Sequence, residues 1–215
     1  MSYPGTHLFS VEATLRSVNS RRNLAQNLRR LLTPLPHPRR RHLPQPRHLC
    51  STISMTTTHT KPTDLIPELD SLAATSSSAD ALMKSIVALL HTKLTRYNWV
   101  GFYMLEREAD RDILVLGPFK GTMTPHTRIP LNQGICGAAA SSGRTVVVDD
   151  VNADARYLAC SLETKSEIVV PVFSHGKVVG ELDIDSHFLA AFGPDDRKLC
   201  EHAAAILGKF IDRNS

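Results

Sequence analysis

"SEIVVPVFSHGKVVGELDIDS", residues 166–186, contains two apolar runs on either side of Ser174-His175-Gly176. Small turn-forming residues between two β-branched segments predict a hairpin of strands 166–173 and 177–185. Along the second strand the side chains alternate. Gly180, Leu182 and Ile184 point one way, and Glu181, Asp183 and Asp185 the other. A solvated sheet face is the plain reading of such alternation. Two features oppose it. Asp is a poor strand former, and like charges adjacent on one face repel. The hairpin also brings Glu167, at the mouth of the first strand, alongside the others.

Carboxylates crowded on one concave face suit a cation or a proton donor. Like charges a few Å apart do not all ionise cheaply, so one carboxyl is expected to keep its proton near neutrality and serve as a general acid. The remaining carboxylates can pair with an ammonium group. Seven residues before Glu167, Cys160 stands in the polar loop "YLACSLETK" (157–165). Nearby acids disfavour a thiolate, which argues against a protease nucleophile. They favour an electrophile that must first be protonated, and a sulfoxide is one.

Upstream, "SSSADALMKSIVALLHTKLTRY" (76–97) places Leu82, Ile86, Leu89, Leu90 and Leu94 at helical spacing, with Ser78 as cap and Asp80 in the first turn. "NWVGFYML" and "DILVLGPF" read as strands joined by the charged turn "EREADR". Gly134 opens a short helix of small residues, and "GRTVVVDDV" reads as a further strand. Pro194 starts a closing helix with the stripe Leu199, Ala203, Ile206, Leu207 and Phe210. The expected class is α+β, a single antiparallel sheet with helices packed mainly on one side. No glycine-rich phosphate loop appears, which disfavours a nucleotide enzyme.

The chain has 215 residues and a formal charge of +4, unevenly spread. Residues 1–54 carry nine Arg, no Lys and the single acid Glu12. The rest is therefore mildly acidic, which speaks against nucleic-acid binding there. The leader "TLRSVNSRRNLAQNLRRLLTPLPHPRRRHLPQPRH" resembles a mitochondrial presequence. A basic RNA tail is a weaker reading, because no aromatics interleave the arginines. Met55 is an equally good start. No apolar run approaches the length of a membrane span. Cys50, Cys136, Cys160 and Cys200 have no zinc-ligand spacing and follow no secretory signal, so a reducing compartment is expected. That is the cytosol, or the mitochondrial matrix if the leader is a presequence.

"NWVGFYML", "LVLGPFKG", "RIPLNQGICGAA", "DDV", "LACSLETKSEIVVPV" and "GELDIDS" together resemble the free methionine-(R)-sulfoxide reductases, which are GAF-fold enzymes. The resemblance runs from about Ser76 to Phe210 and implies a GAF domain over 76–213. It implies Cys160 as the principal catalytic cysteine and Cys136, in "GICG", as a second cysteine of the reducing cycle. It further implies Glu167, Asp183 and Asp185 as acids of the substrate pocket, and Trp99 and Tyr103 as pocket aromatics. Free methionine sulfoxide is then the substrate, thioredoxin or a similar dithiol the reductant, a homodimer the assembly, and no metal or organic cofactor is needed. One departure stands out. The family's third cysteine lies in a "GPFxGxxAC" stretch, and here that stretch is "GPFKGTMTPHT". The family's "HIACD" is "YLACS".

Plainer readings apply to several of these residues. Cys136 between glycines suits a structural small residue, and the start of its helix suits a substrate carboxylate held by backbone N–H groups. Trp99 and Tyr103 also suit the core. Cys200, beside Leu199 on the closing helix, reads as packing. A GAF module that binds a small molecule without turning it over is the alternative function.

Overall fold

The computed structural model describes residues 61–159 and 161–215, all within the compact unit Thr56–Ser215. The Arg-rich leader, Cys50 and the loop cysteine Cys160 lie outside the described residues. A 3-10 turn at Pro62–Leu65 leads into helices α1 (Ile66–Thr75) and α2 (Ala79–Lys93). Strands β1 (Trp99–Glu108), β2 (Arg111–Lys120) and β3 (Arg128–Pro130) follow, then helix α3 (Gly134–Ser142). Strands β4 (Val146–Val148), β5 (Ser166–Ser174) and β6 (Lys177–Ser186) precede the closing helix α4 (Pro194–Asn214). The six strands form one antiparallel sheet in the order β3-β2-β1-β6-β5-β4.

The β5–β6 hairpin takes the register that the alternation predicts, with Glu167 opposite Asp185 and Ile168 opposite Ile184. His175 and Gly176 supply the two positive φ values, 47° and 74°, that a two-residue hairpin turn requires. Ser78 caps α2 as expected, its Oγ accepting the Ala81 N–H at 3.1 Å.

One face of the sheet is apolar. Val100 and Phe102 of β1, Ile168, Val170 and Val172 of β5, and Leu182 and Ile184 of β6 pack against α1, α2 and α4. Cys200 lies in this core, its sulfur 3.8 Å from the Tyr97 hydroxyl, and burial pushes its thiol up to about 12. Such a thiol is inert packing at neutral pH. Tyr97 donates a 2.7 Å hydrogen bond to Asp196, which also pairs with Arg96 and accepts the Gly193 N–H. This cluster pins the start of α4 to the segment entering β1.

The opposite face carries α3. Gly137 lets that helix approach the preceding loop, since a Cβ there would lie 2.7 Å from the Leu131 carbonyl oxygen. Three details depart from the sequence map. The 3-10 turn adds Leu65 and α1 adds Leu69 to the core ahead of residue 76. "RIP" forms the edge strand β3. The strand expected over "GRTVVVDDV" contracts to Val146–Val148, because Asp150 ends it by accepting the Asn152 N–H and starting a 3-10 turn.

Candidate active site

The acid face of β6 is not solvated. Glu181 is 0%, Asp183 2%, Asp185 4% and Glu167 4% exposed. Burial on both faces follows from α3, which lies across β5 and β6 and places Ile135, Cys136, Ala139 and Ala140 against this side. The strand pairing sets what each acid meets. Asp185 lies opposite Trp99 and Glu167, Asp183 opposite Gly101 and Val169, and Glu181 opposite Tyr103 and Pro171. The sequence-predicted residues Trp99, Tyr103, Cys136, Glu167, Asp183 and Asp185 therefore share one side of the sheet.

Cys136 is at the centre of the acids. Its thiol donates to Asp183 Oδ2 at 3.6 Å and lies 3.8 Å from Glu167 Oε1. The residue is also packed among Trp99 and Tyr103. Gly134, with φ of 72°, lets the chain turn into α3 and sets the helix start that delivers Cys136 two residues later.

The aromatics form a wall. Trp99 stacks on Phe119 at 5.7 Å and faces Tyr103 at 6.2 Å between ring centroids. Its indole N–H donates to the Thr122 carbonyl at 3.1 Å, and Tyr103 donates to the His126 carbonyl at 2.8 Å. Both bonds fasten the β2–β3 loop over the site. Gly101 is required beneath this wall, because the Trp99 ring occupies the space a Cβ would take. A small cavity beside Trp99, Thr122, Thr124, Thr164 and His187 reaches Asp185.

Burial dominates the electrostatics. It raises Glu167, Glu181 and Asp185 well above the usual carboxylate range, and their mutual repulsion adds to the effect. Asp183 is pushed by burial up to about 7, while the Cys136 thiol and the Ile184 N–H restrain the rise. Among the described residues no Lys, Arg or His forms an ion pair with any of the four. A buried acid cluster kept protonated by desolvation can ionise against a cation that a ligand brings.

Two residues at this site were not among the sequence candidates. Glu181 shares the alternating acid side, and only the pairing with Tyr103 under α3 reveals how deeply it lies. His126 sits in the stretch that departs from the family pattern. Its Nε2 is 3.1 Å from the Ala159 carbonyl, tying the β2–β3 loop to the residue before Cys160.

The GAF domain family matches residues 78–211. The free methionine-R-sulfoxide reductase of Escherichia coli is 36% identical over 148 residues, covering 69% of this chain and 87% of that protein. Among solved structures, the free methionine-R-sulfoxide reductase of Neisseria meningitidis in complex with its substrate is 39% identical, with a TM-score of 0.66 over 71% of this chain and 90% of that one. The type II enzyme of Thermoplasma acidophilum is 36% identical, with a TM-score of 0.59 over 66% and 96%. With the acids, aromatics and Cys136 assembled on one side of such a sheet, this chain belongs to the GAF-domain family of free methionine-R-sulfoxide reductases, which are oxidoreductases.

Proposed function

We propose that the protein reduces free L-methionine-(R)-sulfoxide to methionine by thiol chemistry. The observation that carries this reading is the buried cluster Glu167, Asp183 and Asp185, which forms no ion pair among the described residues and whose first two members meet the Cys136 thiol. The substrate ammonium fills the missing positive charge, and the Trp99–Tyr103 wall receives the thioether end.

One protonated carboxyl, with Asp183 best placed because it titrates near neutrality, gives its proton to the sulfoxide oxygen. Cys160 sulfur attacks the sulfoxide sulfur, oxygen passes to Cys160, and methionine leaves with the electron pair. One sulfoxide and one thiol thus become one thioether and one sulfenic acid. Cys136 then displaces the hydroxyl as water to form a disulfide with Cys160. Two electrons and two protons from thioredoxin or a similar dithiol restore both thiols. This chemistry calls for no metal or organic cofactor. The working unit is a homodimer in the cytosol, with residues 1–54 a leader ahead of the GAF domain.

The test is thioredoxin-coupled NADPH oxidation with the free (R) sulfoxide, the free (S) epimer and a peptide-bound sulfoxide. Turnover of the free (R) form alone is expected. Binding of methionine with no product from any of the three overturns the reading in favour of a small-molecule-binding GAF module. Sedimentation of the same preparation checks the dimer.

A further inference from the structure

Three donor atoms of unlike chemistry meet under α3. Cys136 Sγ lies 3.6 Å from Asp183 Oδ2 and 3.8 Å from Glu167 Oε1, and the three side chains bring their donor atoms within 4.8 Å of one another. A tetrahedral zinc ion, with bonds of about 2.3 Å to sulfur and about 2.0–2.2 Å to oxygen, holds such sulfur and oxygen atoms roughly 3.5 Å apart. Both sulfur–oxygen separations are therefore already close to those of a chelate. The donors come from α3, β5 and β6, so the folded sheet sets their arrangement. A second observation points to a ligand. Asp183 Oδ1 and both carboxyl oxygens of Glu181 are buried without a hydrogen-bond partner, in side chains of residues only 2% and 0% exposed. Glu181 stands on the same side of β6 as Asp183. Burial raises its carboxyl, Asp183 adds to the rise and the Cys136 thiol opposes it, so the carboxyl reaches toward that thiol. Buried polar atoms left unpaired are costly, and a cation would supply the partner.

We propose that Cys136, Glu167 and Asp183 form a binding site for a zinc ion, with Glu181 at hand as a fourth donor, and that a bound ion shuts the pocket to substrate. Donor chemistry selects the metal. Thiolate is a soft ligand that magnesium and calcium pass over for oxygen, and four ligands are too few for either. Zinc takes sulfur and carboxylate together. Each ligand gives up its proton to solvent as the ion binds, and nothing is oxidised or reduced. A small cavity beside Trp99 and His187 reaches Asp185, the strand partner of Glu167, and gives an ion a way toward the site. The metal site stands without the sulfoxide-reductase reading. Its effect on turnover rests on that reading, because the ion occupies the acids that receive the substrate ammonium and the thiol that closes the disulfide.

The prereduced full chain, titrated anaerobically with Co2+ as a coloured substitute and then with Zn2+, tests this. Cobalt should produce a thiolate-to-metal absorption together with the intense visible bands of a four-coordinate ion, and zinc should erase both. The thiolate absorption should persist in Cys160→Ser and in Cys50→Ser and disappear in Cys136→Ser. Asp183→Asn and Glu167→Gln keep the thiol, and each should weaken zinc binding by more than about 10-fold, since even a group that only supports a ligand costs that much. Zinc should also slow methionine formation in a single turnover without added thiol, and raising the free (R) sulfoxide should restore the rate. A wild type with no thiolate absorption overturns the proposal. So does an absorption that survives Cys136→Ser or vanishes in Cys160→Ser or Cys50→Ser, and the last two variants decide the matter even if Cys136→Ser does not fold. Inhibition that excess sulfoxide leaves unchanged overturns the blocking of the pocket. If the wild type forms no methionine, the reductase reading fails, and the cobalt spectra still decide the metal site.

Discussion

At the scale of single residues, four buried acids without an ion pair dominate the site. Glu167, Asp183 and Asp185 could be named from an alternating pattern, because strand geometry sends every second side chain the same way. Their burial could not, since alternation reads alike on a wet face and on one roofed by a helix. The proposed chemistry gives the two cysteines different roles. Cys160→Ser should abolish methionine formation, whereas Cys136→Ser should yield about one equivalent of methionine and then stop under thioredoxin. Single-turnover product analysis distinguishes them. Asp183 also makes stability depend on pH. Its carboxyl rises from 3.8 to about 7 on folding, so between those values the folded chain holds a proton that the unfolded chain has lost. The stabilisation present below the lower value is therefore lost as pH rises through the upper one. Thermal melts should show Tm falling from pH ~5 to ~8, by the equivalent of roughly a few kcal/mol at most, with Asp183→Asn flattening the dependence.

At the scale of elements, period and punctuation made most of the fold legible. The hairpin followed from its runs and from His175-Gly176, and α2 from its apolar spacing and Ser78. Short elements such as β3 and β4 were less legible, because three residues carry too little periodicity and owe their pairing to the neighbouring strand. Helix α3 has its own weak point. In Gly137→Ala the new methyl meets a backbone carbonyl, which does not swing aside as a side chain would. The helix must shift and carry Cys136 with it. A loss of about 1–3 kcal/mol is expected in denaturant titration, together with reduced kcat. Tyr97→Phe belongs to the opposite face. It removes one hydrogen bond to Asp196 while leaving the Arg96 pair, so a cost of about 1–2 kcal/mol without loss of activity is expected in parallel melts and assays.

At the scale of the molecule, the sheet has two differently covered faces. Apolar residues on one side meet three helices, while the acid side meets α3 and the loops fastened by Trp99 and Tyr103. Truncation tests where the packed unit begins. A chain starting at Met55 should melt as the full chain does, because the compact unit begins at Thr56. A chain starting at Ser76 loses Leu65 and Leu69, which are 1% and 0% exposed. Two buried leucines at about 1.5–3 kcal/mol each should lower Tm sharply. Among the described residues no helix is long and apolar enough to cross a membrane.

Local pattern by itself determined the hairpin, the α+β class and which acids share a side. A strand's period and a turn's φ requirement are properties of neighbouring residues, so a sequence displays them directly. Tertiary structure alone decided that the acid side is dry, that Cys136 meets Asp183 and Glu167, and that Glu181 lies fully buried opposite Tyr103. Each of those depends on α3 being folded back across a sheet whose partner strands lie more than thirty residues away in the chain. Desolvation, which sets the protonation of all four acids, is a property of that covering and of no single residue.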